Sequence, residues 1–306
     1  MRTRRCLRMG MIYLLAVVVL PGTLASSRAS ADAGDATSAE SSEPLGLSKF
    51  RVIDHNIEHR DSALRLAVEK ALATRAQAIT LQEVCFGQVR RLRRLHPDWT
   101  IAWMPGVVND RCSERASLVS PVERQKSGNV AIWTGGGWGR TSTFAFTRQL
   151  DRGQHRGMAC VTYRAGARVR ICSVHLLSAN EPVSRRIIRT AQAREVHRMT
   201  TEWVRADELV VVGGDFNAPP NKRALDYLYQ FRGRGHFREA LGRPDRGRDC
   251  RCKSQTTFDG GRTKIDYIFF SANRMTDTAA RQLRVFRSLS DHHILSGWAY
   301  VDVGAQ

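Results

Sequence analysis

The chain has 306 residues with 48 Lys and Arg against 29 Asp and Glu, which gives a formal net charge of +19 and a pI near 10.6. This length can form one large hydrophobic core or two small ones, and the lack of an internal repeat argues against a repeat architecture. The charge predicts an acidic partner without indicating a fold.

The first 31 residues have the pattern of a secretory signal peptide. Four arginines precede an apolar stretch from Met11 to Leu20, and small residues follow as far as Ala31. A membrane anchor is the alternative, but the apolar stretch is shorter than the ~20 residues that span a bilayer. We therefore expect a secreted, extracellular protein without stable membrane association after cleavage of residues 1–31. Cleavage removes five arginines and no acidic residue, so the net charge falls from +19 to +14.

The mature chain keeps six cysteines, an even number that predicts disulfide bonds in an oxidising compartment. Cys160 and Cys172 flank a turn at Gly166, so two antiparallel strands would place them opposite each other in a cross-strand bridge. A zinc site is the rival interpretation, which the lack of paired CxxC knuckles disfavours. Elimination would pair the others as Cys85 with Cys112 and Cys250 with Cys252, although the sequence leaves the full pairing open.

Beyond the signal, residues 32–48 are small and polar, which predicts a disordered linker. Apolar segments then recur without a long break, so residues 49–306 are expected to form one domain. A first helix begins at an Asp-Ser cap and repeats apolar residues at helical spacing, namely Leu64, Val68 and Leu72. Helices are predicted at residues 61–75, 86–95 and 184–204, and strands at 49–57, 78–84, 99–104, 129–133, 143–147, 158–163, 169–176, 208–213, 264–270, 283–286 and 294–301.

Tight turns join several of these strands and helices join others. This mixture predicts an α+β or mixed-sheet sandwich, because a single parallel sheet leaves the hairpins unexplained. If the ends of these strands lie together, their polar side chains would form an oxygen-rich site for a hard divalent cation. Mg²⁺ is the most natural ion, with Mn²⁺ or Ca²⁺ as alternatives. The polar residues at these ends are Asn56, Glu83, His175, Asp215, Asn217, Asp266, Asp291 and His292.

The stretch LVVVGGDFNAPP contains two of these residues. In extended backbone Asp215 and Asn217 would point to one side, and Phe216 to the other. The glycines allow a close approach of substrate, and the two prolines end the strand. An ordinary strand-to-turn exit is the alternative, because Gly, Asp, Asn and Pro are common turn residues.

The ordered motifs LQEV, SVHL, GDFN, KIDY and SDH resemble the endonuclease/exonuclease/phosphatase superfamily of metal-dependent phosphoesterases. The resemblance runs from Asn56 to His292 and assigns residues 49–306 to a domain of that kind. It implies a four-layer α/β sandwich of two mixed, largely antiparallel β-sheets flanked by helices. It also implies that Glu83 is the principal metal ligand, with Asn56 and Asp291 close to the same ion.

The same resemblance implies the roles of the other residues. Asp215 and Asn217 orient the attacking water and the phosphate, and His292 acts as an acid or base held by Asp266. His292 is preferred to His293 because it follows Ser-Asp as in the family. The histidines on either side of Asn56, His55 and His59, are interpreted as incidental polar residues.

His175 in SVHL resembles the deoxyribonuclease, sphingomyelinase and 5-phosphatase branches. One departure is Arg156, which stands where pancreatic-type deoxyribonuclease has a glutamate. Its planar guanidinium is predicted to bind a substrate phosphate.

These features predict a monomeric, secreted, Mg²⁺-dependent endonuclease that cleaves DNA, because basic residues supply most sequence-independent affinity for nucleic acid. A GC-rich genome that favours arginine is the alternative source of the charge. Two other hypotheses are a phosphodiesterase or phosphatase for lipid head groups or small metabolites, and an inactive anion-binding module. An enzyme acting on lipid head groups would need an exposed apolar hairpin for membrane contact, for which Trp133 and Trp138 are candidates. The basic stretch 231–255 is either a substrate-binding loop or a solvated loop.

Overall fold

The computed structural model describes residues 48–112, 125–137, 139–150, 155–178, 183–240, 251, 255–275 and 281–303. The predicted signal peptide and residues 32–47 of the predicted linker lie outside the described residues, so both remain predictions. Within the described residues, no helix is long and apolar enough to cross a membrane.

Twelve strands and three α-helices are formed by the described residues. In chain order they are β1 (Ser48–Asn56), α1 (Asp61–Thr74), β2 (Ala78–Cys85), α2 (Phe86–Leu95), β3 (Thr100–Val108), β4 (Lys126–Trp133), β5 (Arg140–Ala145), β6 (Gly157–Ala165), β7 (Ala167–His175), α3 (Val183–Arg205), β8 (Leu209–Asp215), β9 (Phe237–Glu239), β10 (Asp266–Ser271), β11 (Arg281–Phe286) and β12 (Ile294–Val301).

The strands form two six-stranded sheets. Sheet 1 has the order β11-β12-β1-β2-β4-β3, and sheet 2 has the order β5-β6-β7-β8-β10-β9. Only the pairs β1–β2 and β7–β8 are parallel among the strand pairs of the described chain, and each is joined through a helix, as a parallel connection requires. The predicted sandwich of two mixed, largely antiparallel sheets flanked by helices is confirmed.

Three apolar layers hold the sandwich together. The middle layer packs the two sheets against each other through side chains such as Val52, Ile171 and Ile268. A second layer packs α1 and α2 on sheet 1, and a third includes Ala193 and Val196 of α3 on sheet 2. The predicted apolar stripe of α1 is only partly buried, because Leu64 is 4% exposed whereas Leu72 is 57% exposed.

The basic stretch 231–255 contains a strand that the residue pattern does not predict. β9 pairs antiparallel with β10 at the edge of sheet 2, so residues 237–239 are not part of a loop. Burial explains the strand, because Glu239 forms an ion pair with Lys264 and accepts a hydrogen bond from Tyr229 in the interior. The arginines 243, 246 and 248 lie outside the described residues, so the role of that part of the stretch remains a prediction.

Two disulfide bonds are formed in the described chain. Cys160 and Cys172 are directly opposite each other in the register of β6 and β7, which agrees with the expected cross-strand bridge. Cys85, the last residue of β2, is bonded to Cys112 in a short 3-10 turn. The other two predicted partners, Cys250 and Cys252, lie outside the described residues.

Candidate active site

The ends of strands from both sheets meet at one end of the sandwich. The two parallel pairs, β1–β2 in sheet 1 and β7–β8 in sheet 2, end there, so Asn56, His175 and Asp215 are each the last residue of a strand. Asp266 is the first residue of β10 and lies opposite Asp215 in the antiparallel register. The sheet topology therefore brings polar side chains from both sheets into one cluster.

The side chain of Asn56 lies at the centre of this cluster. Its Nδ2 atom is 3.3 Å from Glu83 Oε1, 3.3 Å from Asp215 Oδ2 and 3.5 Å from His292 Nε2. An amide group has two hydrogens, so it cannot donate to all three neighbours at once. Asn56 thus connects Glu83 of sheet 1 with Asp215 of sheet 2.

Glu83 occupies an irregular backbone position. The pairing of β2 with β4 shifts register between Leu81 and Val84, and Glu83 has φ 56°, in the left-handed region. A bulge of this kind changes the direction in which a side chain points, and a left-handed non-glycine residue costs about 1–3 kcal/mol. Glu58 and His59 also have positive φ, and the amide of His59 donates to the carbonyl of Glu83. Backbone strain is therefore concentrated around this carboxylate.

Buried carboxylates surround the imidazole of His292. Its Nδ1 atom lies 2.9 Å from Oδ1 and 3.0 Å from Oδ2 of Asp266, and its Nε2 atom lies 3.8 Å from Asp215 Oδ2. Burial lowers the pKa of His292, but Asp266 and Asp215 outweigh burial and raise that pKa to about 10. The arrangement therefore stabilises an imidazolium that is fixed in orientation by Asp266.

Besides Asn56 and His292, two further residues contact Asp215. His175 Nε2 is 3.3 Å from its Oδ2 atom, and the amide of Asn217 donates to its Oδ1 atom at 2.8 Å. Burial and the neighbouring Asp266 raise the pKa of Asp215 to about 7, although His292 acts in the opposite direction. Burial, assisted by Arg156, lowers the pKa of His175 well below its usual range, which favours the neutral imidazole beside Asp215.

Asn217 differs from the prediction. β8 ends at Asp215 and Asn217 has φ 51°, so the alternation of an extended strand does not apply between these residues. The side-chain Nδ2 of Asn217 donates to the carbonyl of Leu176 at 3.0 Å, and its own carbonyl accepts a hydrogen bond from Arg189. Phe216 is fully buried against the core, as expected. Asn217 thus closes a turn beside β7 in addition to lying next to Asp215.

Asp291 and Arg156 lie at the borders of the cluster. Asp291 is exposed, and its Oδ1 atom is 4.0 Å from His292 Nε2. Arg156 lines a cavity of about 90 Å³ together with Glu83 and His175. Its buried Nε atom has no hydrogen-bond partner, and its guanidinium forms no ion pair with any residue of the described part of the chain. The cavity therefore offers an unpaired cation beside the carboxylate cluster.

His59, which the sequence indicates as an incidental polar residue, lies beside Glu83 in the structure. Its Nδ1 atom lies 3.4 Å from Glu83 Oε2, its side chain is 6% exposed, and it lines the same cavity. Its position is fixed by the strained turn after β1, which no spacing rule indicates. His55 is also buried, but its ring faces the backbone carbonyl of His292 at 3.3 Å. Only one of the two histidines beside Asn56 therefore faces the cavity.

A model of the endonuclease/exonuclease/phosphatase family matches residues 55–292, which is more than half of the chain. The chain belongs to this family. The resemblance that the motifs indicated is confirmed, and members of the family are phosphoester hydrolases of the nuclease and phosphodiesterase type that use divalent metals. A search of curated proteins gives no significant match.

Solved structures of several family members have the same fold. The catalytic domain of human nocturnin with bound sulfate is 17% identical, with a TM-score of 0.60 over 83% of this chain and 95% of that chain. Truncated TDP2 from Caenorhabditis elegans is 16% identical, with a TM-score of 0.56 over 83% and 98%. TDP2 from D. rerio, complexed with a single-strand DNA product, is 15% identical, with a TM-score of 0.58 over 82% and 99%. These likenesses establish the fold alone.

The residue types of the predicted metal site suit a hard divalent cation. Asn56, Glu83 and Asp291 carry side-chain oxygen atoms, which Mg²⁺ prefers, and the oxygen of Asn56 accepts a hydrogen bond from the amide of Glu58 while its Nδ2 atom faces Glu83. Burial and the nearby Glu58 and Glu83 raise the pKa of Asp291, whereas His292 lowers it, so negative charge accumulates here. A second, buried group of side chains could also bind a metal ion, because its ligand atoms lie within 4.8 Å of one another. Its histidine would be a poor ligand while it is protonated. That group consists of Asp215, Asp266 and His292.

Replacement of His59 tests its contact with Glu83. We expect His59→Ala to raise the Mg²⁺ concentration for half-maximal activity several-fold, because the Glu83 carboxylate loses a neighbour that limits its rotation. His59→Asn should restore part of the wild-type value, since asparagine keeps a donor near the Nδ1 position. Titration of activity against Mg²⁺, with binding of Mn²⁺ measured by electron paramagnetic resonance, checks this expectation. Equal Mn²⁺ affinity in all three proteins would show that His59 does not contribute to metal binding.

The Cys85–Cys112 disulfide joins the end of β2 to the turn that carries Arg111, whose side chain pairs with Glu58 at 2.9 Å. We expect the double replacement Cys85→Ser/Cys112→Ser to lower stability by about 3 kcal/mol and also to weaken metal binding, because Glu83 lies two residues before this bond. The matched control is the double replacement of Cys160 and Cys172 by serine, which should lower only stability. Urea unfolding and Mn²⁺ binding separate the two effects, and parallel behaviour of the two variants would contradict the expectation.

Proposed function

We propose that the protein is a secreted, divalent-metal-dependent nuclease that hydrolyses phosphodiester bonds in DNA. The observation that carries the proposal is the buried Asp266–His292–Asp215 arrangement, which Asn56 connects to Glu83. An imidazolium of fixed orientation beside a carboxylate can transfer protons during hydrolysis of a phosphate ester.

The residues divide the reaction between them. His292, held at Nδ1 by Asp266, gives its Nε2 proton to the ester oxygen that leaves as its bond to phosphorus breaks, while water forms the new bond to phosphorus. Asp215 accepts a proton from the attacking water, because its raised pKa matches that task at neutral pH. Arg156 binds the phosphate oxygens, and His175, whose Nε2 atom lies 3.3 Å from Asp215 Oδ2, positions the carboxylate of Asp215. Asn56, Glu83 and Asp291 would hold a divalent cation, which would supply positive charge to stabilise the phosphoryl oxygens.

Charge supports DNA as the substrate. The chain without residues 1–31 has a net charge of +14, and basic residues bind nucleic acid mainly through its phosphates. The D. rerio TDP2 structure, which contains a single-strand DNA product, supports the same substrate class for a related fold. The two disulfides suit the oxidising extracellular environment that the signal peptide predicts, and we propose that the enzyme acts there as a monomer.

A second candidate function is hydrolysis of small phosphoesters, such as phosphorylated metabolites or lipid head groups. The observation that favours it is the size of the cavity beside Arg156, about 90 Å³, which suits a single phosphate group better than a strand. The apolar hairpin that a lipid substrate would require is only partly described, because Trp138 lies outside the described residues. Trp133 is buried and stacks on Tyr163, so it does not extend into solvent.

A substrate panel tests the proposal. Purified protein is incubated with duplex DNA, RNA, bis-p-nitrophenyl phosphate, sphingomyelin and inositol phosphates, each with Mg²⁺ and with EDTA. We expect Mg²⁺-dependent cleavage of DNA that high salt weakens. Release of phosphate or phosphocholine with intact DNA would favour the second candidate function. Clean protein without nuclease activity in the presence of any divalent metal would refute the first.

A further inference from the structure

A row of arginines lies on the outer face of sheet 2, far from the candidate active site. Arg164 of β6 is directly opposite Arg168 of β7, and Thr162 of β6 lies opposite both Arg170 of β7 and Arg140 of β5. Directly opposed residues in antiparallel strands share one face of the sheet. We call these four residues, Arg140, Arg164, Arg168 and Arg170, the arginine face.

This arrangement is unfavourable for the isolated sheet. Like charges directly opposite each other across a strand pair are destabilising. Arginine-rich codon usage explains the number of arginines in a chain, but it does not explain why four of them share one surface. A bound anion would remove the repulsion.

Neutralisation within the protein is incomplete. Glu208 is buried and pairs with Arg168 at 3.1 Å and with Arg170 at 2.8 Å, and Arg170 also lies 4.1 Å from the ring centre of Trp203. Arg140 and Arg164 are exposed and form no ion pair with a residue in the described ranges. Within the described residues, one carboxylate therefore neutralises two of the four guanidinium groups.

A groove of about 460 Å³ runs along the arginine face, and all four arginines line it. Ser142 also lines the groove, and its buried hydroxyl has no hydrogen-bond partner. The groove lies near the start of β7, whereas His175 ends that strand. Seven residues of extended chain separate Arg168 from His175, or about 23 Å, so the groove is not part of the catalytic cavity.

We propose that the arginine face is a second binding site for the phosphate backbone of a polynucleotide, distinct from the segment bound at the active site. The proposal rests on the nuclease function for its substrate class. Guanidinium groups bind phosphate oxygens in pairs, and the hydroxyl of Ser142 offers a further donor. A membrane surface fits less well, because none of the large apolar side chains exposed in the described chain lines this groove. The site would retain a long substrate between successive cleavages.

The test uses the double variant Arg140→Gln/Arg164→Gln. These two arginines are chosen because replacement of Arg168 or Arg170 would leave the buried Glu208 without its partner and endanger folding. The matched control is Arg65→Gln/Arg94→Gln, which removes two exposed arginines from α1 and α2. Binding of a fluorescent DNA duplex is measured by anisotropy in EDTA, across a range of salt concentrations.

We expect the slope of log K against log salt to fall by about 2 in the arginine-face variant and to be unchanged in the control. With Mg²⁺, KM for long DNA should rise several-fold, whereas hydrolysis of bis-p-nitrophenyl phosphate should be unaffected. Unchanged DNA binding in an active nuclease would overturn the second site while leaving the proposed function intact. Loss of binding to phosphatidylserine vesicles with normal DNA binding would also overturn it, since the surface would then recognise lipid. If the wild-type protein cleaves no DNA but the variant loses DNA binding, the nuclease function is refuted and the second binding site is supported.

Discussion

Replacement of His292 by asparagine is expected to lower kcat about a thousandfold while the protein remains folded. His292 is held between Asp266, at 2.9 Å from Nδ1, and Asp215, at 3.8 Å from Nε2. Acid or base catalysis by a positioned side chain contributes about 10²–10⁴ to rates. Asparagine can still donate to Asp266, but it cannot carry a proton. Initial rates on duplex DNA, together with thermal unfolding, measure the two quantities separately.

The neighbouring histidine provides the matched control. His293 is also buried, but its Nε2 atom lies 3.2 Å from the exposed Asp259, outside the cluster. His293→Asn should therefore change kcat by less than about tenfold. A variant of the partner carboxylate, Asp266→Asn, should lose as much activity as His292→Asn, and the double variant should lose little more, because the two residues act as one unit. Independent, additive losses would contradict the assigned pairing.

The sequence predicted the strands of this fold because their apolar runs are continuous and their ends are marked by polar residues. The buried run of β8 ends at Asp215 and the run of β7 ends at His175, so the parallel pair places both at one edge. Chain order then supplied the family, and with it the pairing of His292 with Asp266. Contacts of this kind follow from topology, which the pattern of hydrophobic residues largely fixes.

Features that depend on irregular backbone could not be predicted in this way. The left-handed conformations of Glu83, His59 and Asn217 interrupt the alternation on which a strand prediction relies. The position of His59 beside Glu83 follows from that interruption, and so does the turn that separates Asn217 from the strand. Short β9 was missed for another reason, because its pairing with β10 depends on tertiary burial of Glu239 rather than on a local pattern.

Replacement of Glu83 by glutamine is expected to weaken metal binding at least about tenfold and to lower activity by a further large factor. The substitution keeps the shape of the side chain and its contact with Asn56 at 3.3 Å, but it removes the negative charge. The cation then loses a negatively charged carboxylate ligand, and binding of a hard cation depends on the charge of its ligands. Binding of Mn²⁺ by electron paramagnetic resonance, and activity across a Mg²⁺ titration, measure the two effects, and excess metal should recover part of the activity.

Glu58→Gln is the matched control for Glu83→Gln. Glu58 lies in the same strained segment as His59, but its carboxylate pairs with Arg60 and Arg111, each at 2.9 Å, so it is already neutralised. Its replacement should change Mn²⁺ affinity by less than about threefold. Equal loss of affinity in both variants would show that general negative charge, rather than Glu83, holds the ion. Unchanged Mn²⁺ affinity in Glu83→Gln would instead indicate that the ion binds to the buried group of Asp215, Asp266 and His292. His292 would then have to release its proton before it could bind the metal.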